Sequence, residues 1–260
     1  MADPLVTIAL GLVLGFLIGL TGVGGGALVA PALYVVLELP YADAIAVSLL
    51  FSVFTKIVGA VQHIRQGSVL WPITLTYGLA GIPGAVAGSW VVHLAGSRGE
   101  RFFPFVMAAV LLLVAALLLL EATVGRVAGW AKRWSPHELG WRGALAIAAF
   151  QVLVGLLLGV TSVGSGSLVI LSMVYFFRMT VPEIVGSNIV ISLLMVAPAS
   201  ATHLAVGAVP WGVLGLLLGG SLLGALAGAR ATLAAPERGL KLAITGLVAA
   251  AAVATVAKAL

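Results

Sequence analysis

Apolar segments of about 20 residues recur along this chain, and each is long enough to cross the hydrocarbon core of a bilayer as one helix. The clearest six run from Asp43 to His63, Val69 to His93, Phe102 to Leu120, Ile184 to Leu204, Pro210 to Arg230 and Leu240 to Val256. Hydrophobic residues make up 62% of the chain and charged residues only 8%, which excludes an ordinary water-soluble domain. The sequence therefore predicts an all-α integral membrane protein.

Two further apolar segments, Leu5 to Leu39 and Trp141 to Phe177, are too long for a single crossing. A run of small residues interrupts each of them, and we call these runs the first break (Thr21 to Gly26) and the second break (Thr161 to Ser167). Two apolar pieces flanking such a break are typical of broken or re-entrant helices in transporters. We expect each segment to form a helical hairpin.

An internal repeat relates the two halves of the chain. Sliding the sequence by 140 residues, without a gap, places Gly15 to Val29 on Gly155 to Val169. The same shift aligns Ser52 with Ser192, His63 with His203 and Trp71 with Trp211. Because His and Trp are rare in this chain, their alignment in one register indicates a duplication.

We therefore predict a first membrane repeat over 1–121, an extramembrane linker over 122–140 and a second repeat over 141–260. Each repeat would hold one broken, re-entrant hairpin and three transmembrane helices. The distribution of Arg and Lys predicts the topology. If the broken segments are re-entrant, one side collects nine loop cations and the other three; if they cross fully, the cations divide six and six. The first alternative makes the halves inverted repeats with both termini outside.

The two breaks are candidate anion-binding segments. Small residues at a helix break leave several backbone N–H groups free at the start of the next half-helix, where the helix dipole is positive. The candidate binding residues in the breaks are Thr21, Gly22, Gly24, Gly25, Gly26, Thr161, Ser162, Gly164, Ser165, Gly166 and Ser167. By contrast, we interpret the Gly pairs spaced by four at Gly15, Gly84 and Gly224 as helix-packing positions.

Lys56 is the one strong charge deep inside an ordinary span. Counting by fours places Ser48 and Ser52 on the same helix face as Lys56, and the equivalent face in the second half carries Asn188 and Ser192. An intramembrane cation is a functional candidate, with snorkelling to the headgroups as the alternative. We add Ser52, Lys56, Asn188 and Ser192 to the candidate binding residues.

His63 and His203 lie near the ends of their spans and carry two open readings: interfacial residues, or groups for proton coupling or gating. The chain has no Cys and four His, so a metal site is poorly supported, and we expect no cofactor. No pair of carboxylates lies deep in a span, which argues against acid–base catalysis by an enzyme. The net charge of +5 comes from scattered cations, which fits membrane orientation rather than nucleic-acid binding.

At the breaks the sequence resembles the sulfite exporter TauE/SafE family. The resemblance rests on Gly19-Leu20-Thr21-Gly22-Val23-Gly24-Gly25-Gly26, followed by Pro31 and Leu33, and on the second-half copy from Gly159 to Gly166. Ser162 and Ser165 replace Gly in that copy, and Leu171 stands where Pro31 predicts Pro. The resemblance covers nearly the whole chain and implies secondary transport of sulfite, organosulfonates or related sulfur-containing anions across the cytoplasmic membrane.

These observations together predict a transporter with its anion site between the two breaks, working by alternating access within the lipid bilayer. Protons or the membrane potential would drive it. An anion channel would use the same residues without saturation or coupling, and a non-transporting membrane subunit would leave Lys56 without a role. Both alternatives stay open, as do a homodimer, the substrate and the direction of transport.

Overall fold

A computed structural model describes residues 3–21, 26–124, 140–207, 209–232 and 237–260. The described residues form nine helices: α1 (Pro4–Thr21), α2 (Gly26–Val35), α3 (Tyr41–Arg65), α4 (Trp71–Val124), α5 (Trp141–Thr161), α6 (Ser167–Phe176), α7 (Val181–Val206), α8 (Trp211–Thr232) and α9 (Glu237–Ala259). Six of them, α3, α4, α5, α7, α8 and α9, are long and apolar enough to cross a membrane. The prediction of an all-α multi-pass membrane protein is confirmed.

The second long apolar segment is interrupted at its small-residue run, as predicted, whereas residues 22–25 of the first run lie outside the described residues. In each segment a longer helix, α1 or α5, is followed after the break by a helix of only 10 residues, α2 or α6. The two helices that flank each break are therefore less equal in length than the sequence suggests. At 21 residues α5 is long enough to span the bilayer core by itself, whereas α6 covers about half of it.

Helix α4 contains nearly all of the two spans expected from sequence, Val69 to His93 and Phe102 to Leu120, but they are joined by a kink instead of a loop. It is helical from Trp71 to Val124 except at Gly96, where φ is 48° and ψ is −130°. A straight helix of that length would be roughly 80 Å long, well beyond a bilayer core of about 30 Å. Gly96 tolerates the positive φ because it has no Cβ. It divides α4 into two arms, each of membrane-spanning length.

The broken segments pack on the opposite repeat through glycines. An added Cβ on Gly15 of α1 would lie 2.2 Å from the carbonyl oxygen of Ser221 in α8, and one on Gly224 of α8 would lie 2.0 Å from that of Leu12. Only a residue without a side chain permits helix backbones to approach so closely. The packing role predicted for the Gly15 and Gly224 positions is therefore confirmed.

The same contact recurs between α5 and the arm of α4 before Gly96. An added Cβ on Gly155 would lie 2.1 Å from the oxygen of Gly81, and one on Gly84 would lie 1.9 Å from that of Val152. These pairs correspond to Gly15 with Ser221 and to Gly224 with Leu12 after the shift of 140 residues. The sequence repeat is thus reproduced in the tertiary contacts, with each repeat's broken segment seated on the other repeat.

Contacts between helices also give their directions. Ser68, just after the end of α3, lies against Gly186 near the beginning of α7. Lys56, earlier in α3, and Ser192, later in α7, both hydrogen-bond to Ser165. The equivalent helices α3 and α7 therefore run in opposite directions. All of these elements surround a single large apolar core that draws residues from both repeats.

Helix α6 returns the chain towards the end from which α5 started. Leu70 N donates to Ser187 Oγ near the start of α7, and His93 meets His203 near its end, so α7 runs parallel to the first arm of α4. The glycine contacts show that α5 is also parallel to that arm. Since α5 and α7 point the same way, the connection through α6 must reverse, which makes α5 and α6 a hairpin.

Candidate functional site

The second break is a tightly wound turn held by its own polar groups. Helix α5 ends at Thr161, and Ser162 and Gly164 then adopt positive φ values of 59° and 105°. The Thr161 hydroxyl donates to Leu157 O at 2.6 Å and accepts from Val163 N at 3.1 Å. Thr161 therefore shapes the turn, and its hydroxyl is occupied by backbone contacts.

The serines of the second break face the polar stripe of α3, the helix face that carries Ser48, Ser52 and Lys56. Ser48 Oγ lies 2.9 Å from Ser162 Oγ, and Lys56 Nζ donates to Ser165 Oγ at 3.3 Å. Ser48 and Lys56 are two helical turns apart, so both contacts arise from one face of α3. The polar stripe of α3, in the first repeat, therefore contacts the second break, in the second repeat.

Helix α7 contacts the second break from its own side. Ser192 Oγ donates to the backbone oxygen of Ser165 at 2.7 Å. Asn188, one turn earlier, is buried, and its Oδ1 has no hydrogen-bond partner within the described part of the chain. Ser165 therefore contacts both the polar stripe of α3 and the polar stripe of α7, which carries Asn188 and Ser192. The unused acceptor, Oδ1 of Asn188, lies on the same face of α7 as Ser192.

The first break is placed only by its two ends. Thr21 is the last residue of α1 and Gly26 the first of α2, whereas Gly22, Gly24 and Gly25 lie outside the described residues. Ser52 is buried on α3, one turn before Lys56. In the second break, Gly166 caps α6 and Ser167 begins it. The predicted roles of all these residues in binding stay predictions.

The electrostatics of the site favour an anion. Lys56 is only 8% exposed, and no described carboxylate lies within ion-pairing distance of its Nζ. The N-terminus of α6, at Ser167, adds the positive end of a helix dipole directly after Ser165. A buried ammonium next to hydroxyls and a helix N-terminus lacks a negative partner, and a small anion would supply it.

The two predicted histidines have different surroundings. His63 Nδ1 lies 2.9 Å from Ser68 Oγ, within its own repeat. His203 is fully buried, and its Nδ1 lies 2.9 Å from Nε2 of His93 on α4. No role for His93 was predicted from sequence, because the position 140 residues later is Leu233 and the repeat therefore provides no signal.

Comparison with known proteins identifies the family. Residues 7–255 match the family model described as Sulfite exporter TauE/SafE. The chain belongs to that family. The resemblance inferred from the breaks is therefore confirmed over nearly the full sequence.

Curated relatives of this TauE/SafE family member are also described as membrane transporters. The probable membrane transporter protein YjnA of Bacillus subtilis (strain 168) is 33% identical over 85% of this chain and 87% of its own length. The probable membrane transporter protein YdhB of the same organism is 26% identical over 92% of this chain and 93% of its own length. A probable membrane transporter protein of Xylella fastidiosa (strain Temecula1 / ATCC 700964) is 30% identical over 71% of this chain and 68% of its own length.

No solved structure matches the chain significantly. The family and the names of the relatives nevertheless indicate a membrane transporter rather than an enzyme. Together with the six apolar spans, they support a multi-pass protein of the cell membrane.

Proposed function

We propose that this protein is a secondary transporter that moves sulfite, an organosulfonate or a related small sulfur-containing anion across the cytoplasmic membrane. The anion would bind where the second break meets the polar stripes of α3 and α7, with the first break completing the site. Lys56 supplies the positive charge, while Ser52, Ser162, Ser165, Ser167 and Asn188 offer hydroxyl and amide groups, together with the backbone of both breaks. Ser192 holds the second break in place through its bond to Ser165 O.

The observation that carries this proposal is the contact of Lys56 Nζ with Ser165 Oγ at 3.3 Å, inside a buried site without a neighbouring described carboxylate. A buried ammonium is costly unless an opposite charge compensates it. Sulfite and sulfonates combine a negative charge with several oxygen acceptors, which suit one ammonium and several hydroxyl and N–H donors. Snorkelling is less suitable as an explanation, because the amine hydrogen-bonds to the break instead of reaching the surface.

The fold supports an alternating-access mechanism based on an inverted repeat. The equivalent helices α3 and α7 run in opposite directions, and each broken segment packs on the other repeat. In transporters of this type, one repeat rocks against the other around a site near the bilayer midplane. Ser165 contacts both α3 and α7, so such a movement would change the anion site directly.

Uptake of labelled sulfite into proteoliposomes tests this function. We expect uptake that saturates with concentration and is competed by at least one of taurine, sulfoacetate, sulfate and thiosulfate. Lys56→Ala should abolish uptake. Lys258→Ala is the control and should retain uptake, because Lys258 contacts Tyr34 O and not the second break. Non-saturating flux would favour a channel, and no flux of any of these anions from folded protein would overturn the substrate assignment.

A further inference from the structure

A direct contact between two histidines joins the repeats at a distance from the anion site. Nε2 of His93, on the first arm of α4, lies 2.9 Å from Nδ1 of His203 on α7, and the ring centroids are 4.6 Å apart. His93 belongs to the first repeat and His203 to the second. The contact therefore bridges the two units that would move relative to each other during transport.

This pair has room for one additional proton. A hydrogen bond between two imidazole nitrogens needs one N–H and one lone pair, and the neutral pair carries two N–H groups on four nitrogens. Nε2 of His203 has no hydrogen-bond partner among the residues that the structure describes. When His93 donates through Nε2 and His203 accepts at Nδ1, the free lone pair of the two rings is on Nδ1 of His93. Protonation there gives a singly charged pair and keeps the bond between the rings.

The two rings differ in their access to solvent. His203 is fully buried, whereas His93 is half-buried, so a proton binds first at His93 Nδ1 and reaches His203 when His93 Nε2 passes its own proton to His203 Nδ1. The charged groups that act on the pair are the Asp43 carboxylate of α3, which attracts a cation on His93, and Glu100 of α4, which acts on Asp43. A Cβ added at Gly207, just after α7, would lie 3.1 Å from Cε1 of His93, so the chain after α7 packs beside this ring. The Asp43 carboxylate therefore acts against the cost of placing a positive charge on these buried rings.

The buried histidine is on the same helix face as a residue of the anion site. His203 follows Ser192 by 11 residues, which is close to three full turns of α7, or roughly 16 Å. A change of charge at His203 therefore acts on the helix that holds the backbone of the second break through Ser192. Because the bond to His93 is kept, protonation changes the charge at the contact between the two repeats without breaking that contact.

We propose that His93 and His203 together form the proton-binding site that couples a proton gradient to anion transport. This inference rests on the proposed function and adds to it the coupling ion and its site. It also distinguishes the two histidines named from sequence: His203 couples, while His63, bonded to Ser68 in its own repeat, does not.

Glutamine variants separate coupling from transport, because a Gln side chain can hydrogen-bond but cannot take up a proton at neutral pH. Two assays on proteoliposomes are needed: exchange of labelled for unlabelled sulfite without any gradient, and accumulation driven by an imposed pH gradient at constant external pH. For His203→Gln and His93→Gln we expect exchange within about twofold of the unmodified protein and loss of gradient-driven accumulation. His63→Gln should retain both.

The outcomes distinguish the two proposals. Gradient-driven accumulation that survives in His203→Gln and His93→Gln overturns the coupling site and leaves the transporter assignment intact. Absence of exchange in the folded, unmodified protein overturns the proposed function and the coupling site with it. If His203→Gln does not fold, His93→Gln decides the matter alone, because that residue is only half-buried and tolerates substitution more readily.

Discussion

Lys56 of α3 reaches across the repeat boundary and hydrogen-bonds to Ser165, which lies 109 residues later in the chain. Ser165 in turn receives a hydrogen bond on its backbone oxygen from Ser192 of α7. One residue of the second break therefore connects the polar faces of two equivalent helices that run in opposite directions. This arrangement explains why a small-residue break, a membrane-embedded lysine and a serine stripe occur together in one sequence.

Replacing Ser192 by Ala should damage both stability and anion affinity. The buried Ser165 oxygen would lose its donor, at a cost of about 1–3 kcal/mol, and the break would lose its attachment to α7. Ser200→Ala is the matched control, since Ser200 is also buried on α7 but, among the described residues, its hydroxyl bonds only to Val196 of its own helix. Thermal unfolding in detergent and sulfite binding measure the two effects; equal behaviour of the two variants would contradict the role of Ser192.

A single methyl group on the interface between α1 and α8 should be strongly destabilising. In Gly224→Ala the added Cβ would collide with the Leu12 backbone, so the helices would have to separate. In Gly215→Ala, on the same helix, the Cβ meets no atom within 4 Å, and the higher helix propensity of Ala makes this variant neutral or slightly stabilising. We expect melting temperatures to fall for the first variant only; a Gly224→Ala protein as stable as the control would refute the close packing.

Glu100 should stabilise the start of α3 from outside that helix. Its carboxylate accepts from Tyr41 N at 2.8 Å and from Ala42 N at 3.4 Å, where the positive end of the helix dipole lies. Glu100→Ala should therefore lower the free energy of unfolding by about 0.5–2 kcal/mol, as for the loss of other N-terminal caps. Glu100→Gln should fall in between, because it keeps an acceptor without the charge. Denaturant unfolding followed by tryptophan fluorescence would show this order or reject it.

Removing the Tyr41 hydroxyl should weaken the attachment of α5 to α3. Tyr41 OH donates to Val160 O at 2.8 Å, next to the second break, and both groups are buried. Tyr41→Phe leaves the carbonyl without that donor, and we expect a loss of about 1–3 kcal/mol. Tyr175→Phe is a control because Tyr175 is exposed. Equal thermal stability of both variants would show that this bond does not hold the break in place.

Much of the fold could be predicted because membrane spans are recognisable by length and composition, and because a duplication repeats rare residues at one offset. Glycines spaced by four indicated close packing, but not which helices they join. That α1 pairs with α8, and α5 with α4, depends on tertiary contacts between repeats. The connection between the spans that end at His93 and begin at Phe102 was predicted, but not that a single glycine, Gly96, makes it.

The candidate site was predictable to a similar degree. Spacing by fours placed Ser48 and Lys56 on one face, and the structure confirms that this face meets Ser162 and Ser165. The pairing of His93 with His203 could not be predicted, because it joins two helices of different repeats and His93 has no counterpart in the second half. The substrate-binding role of all these residues stays a prediction.

The central claim is that Lys56 forms the charged part of an anion site, and equilibrium binding of labelled sulfite to the purified protein in detergent tests it most directly. The account predicts saturable binding that weakens at least about tenfold, or about 1.4 kcal/mol, in Lys56→Gln. Binding to Lys258→Gln should remain unchanged. The same Kd for Lys56→Gln and the unmodified protein, with both shown to be folded, would contradict the assignment of this site.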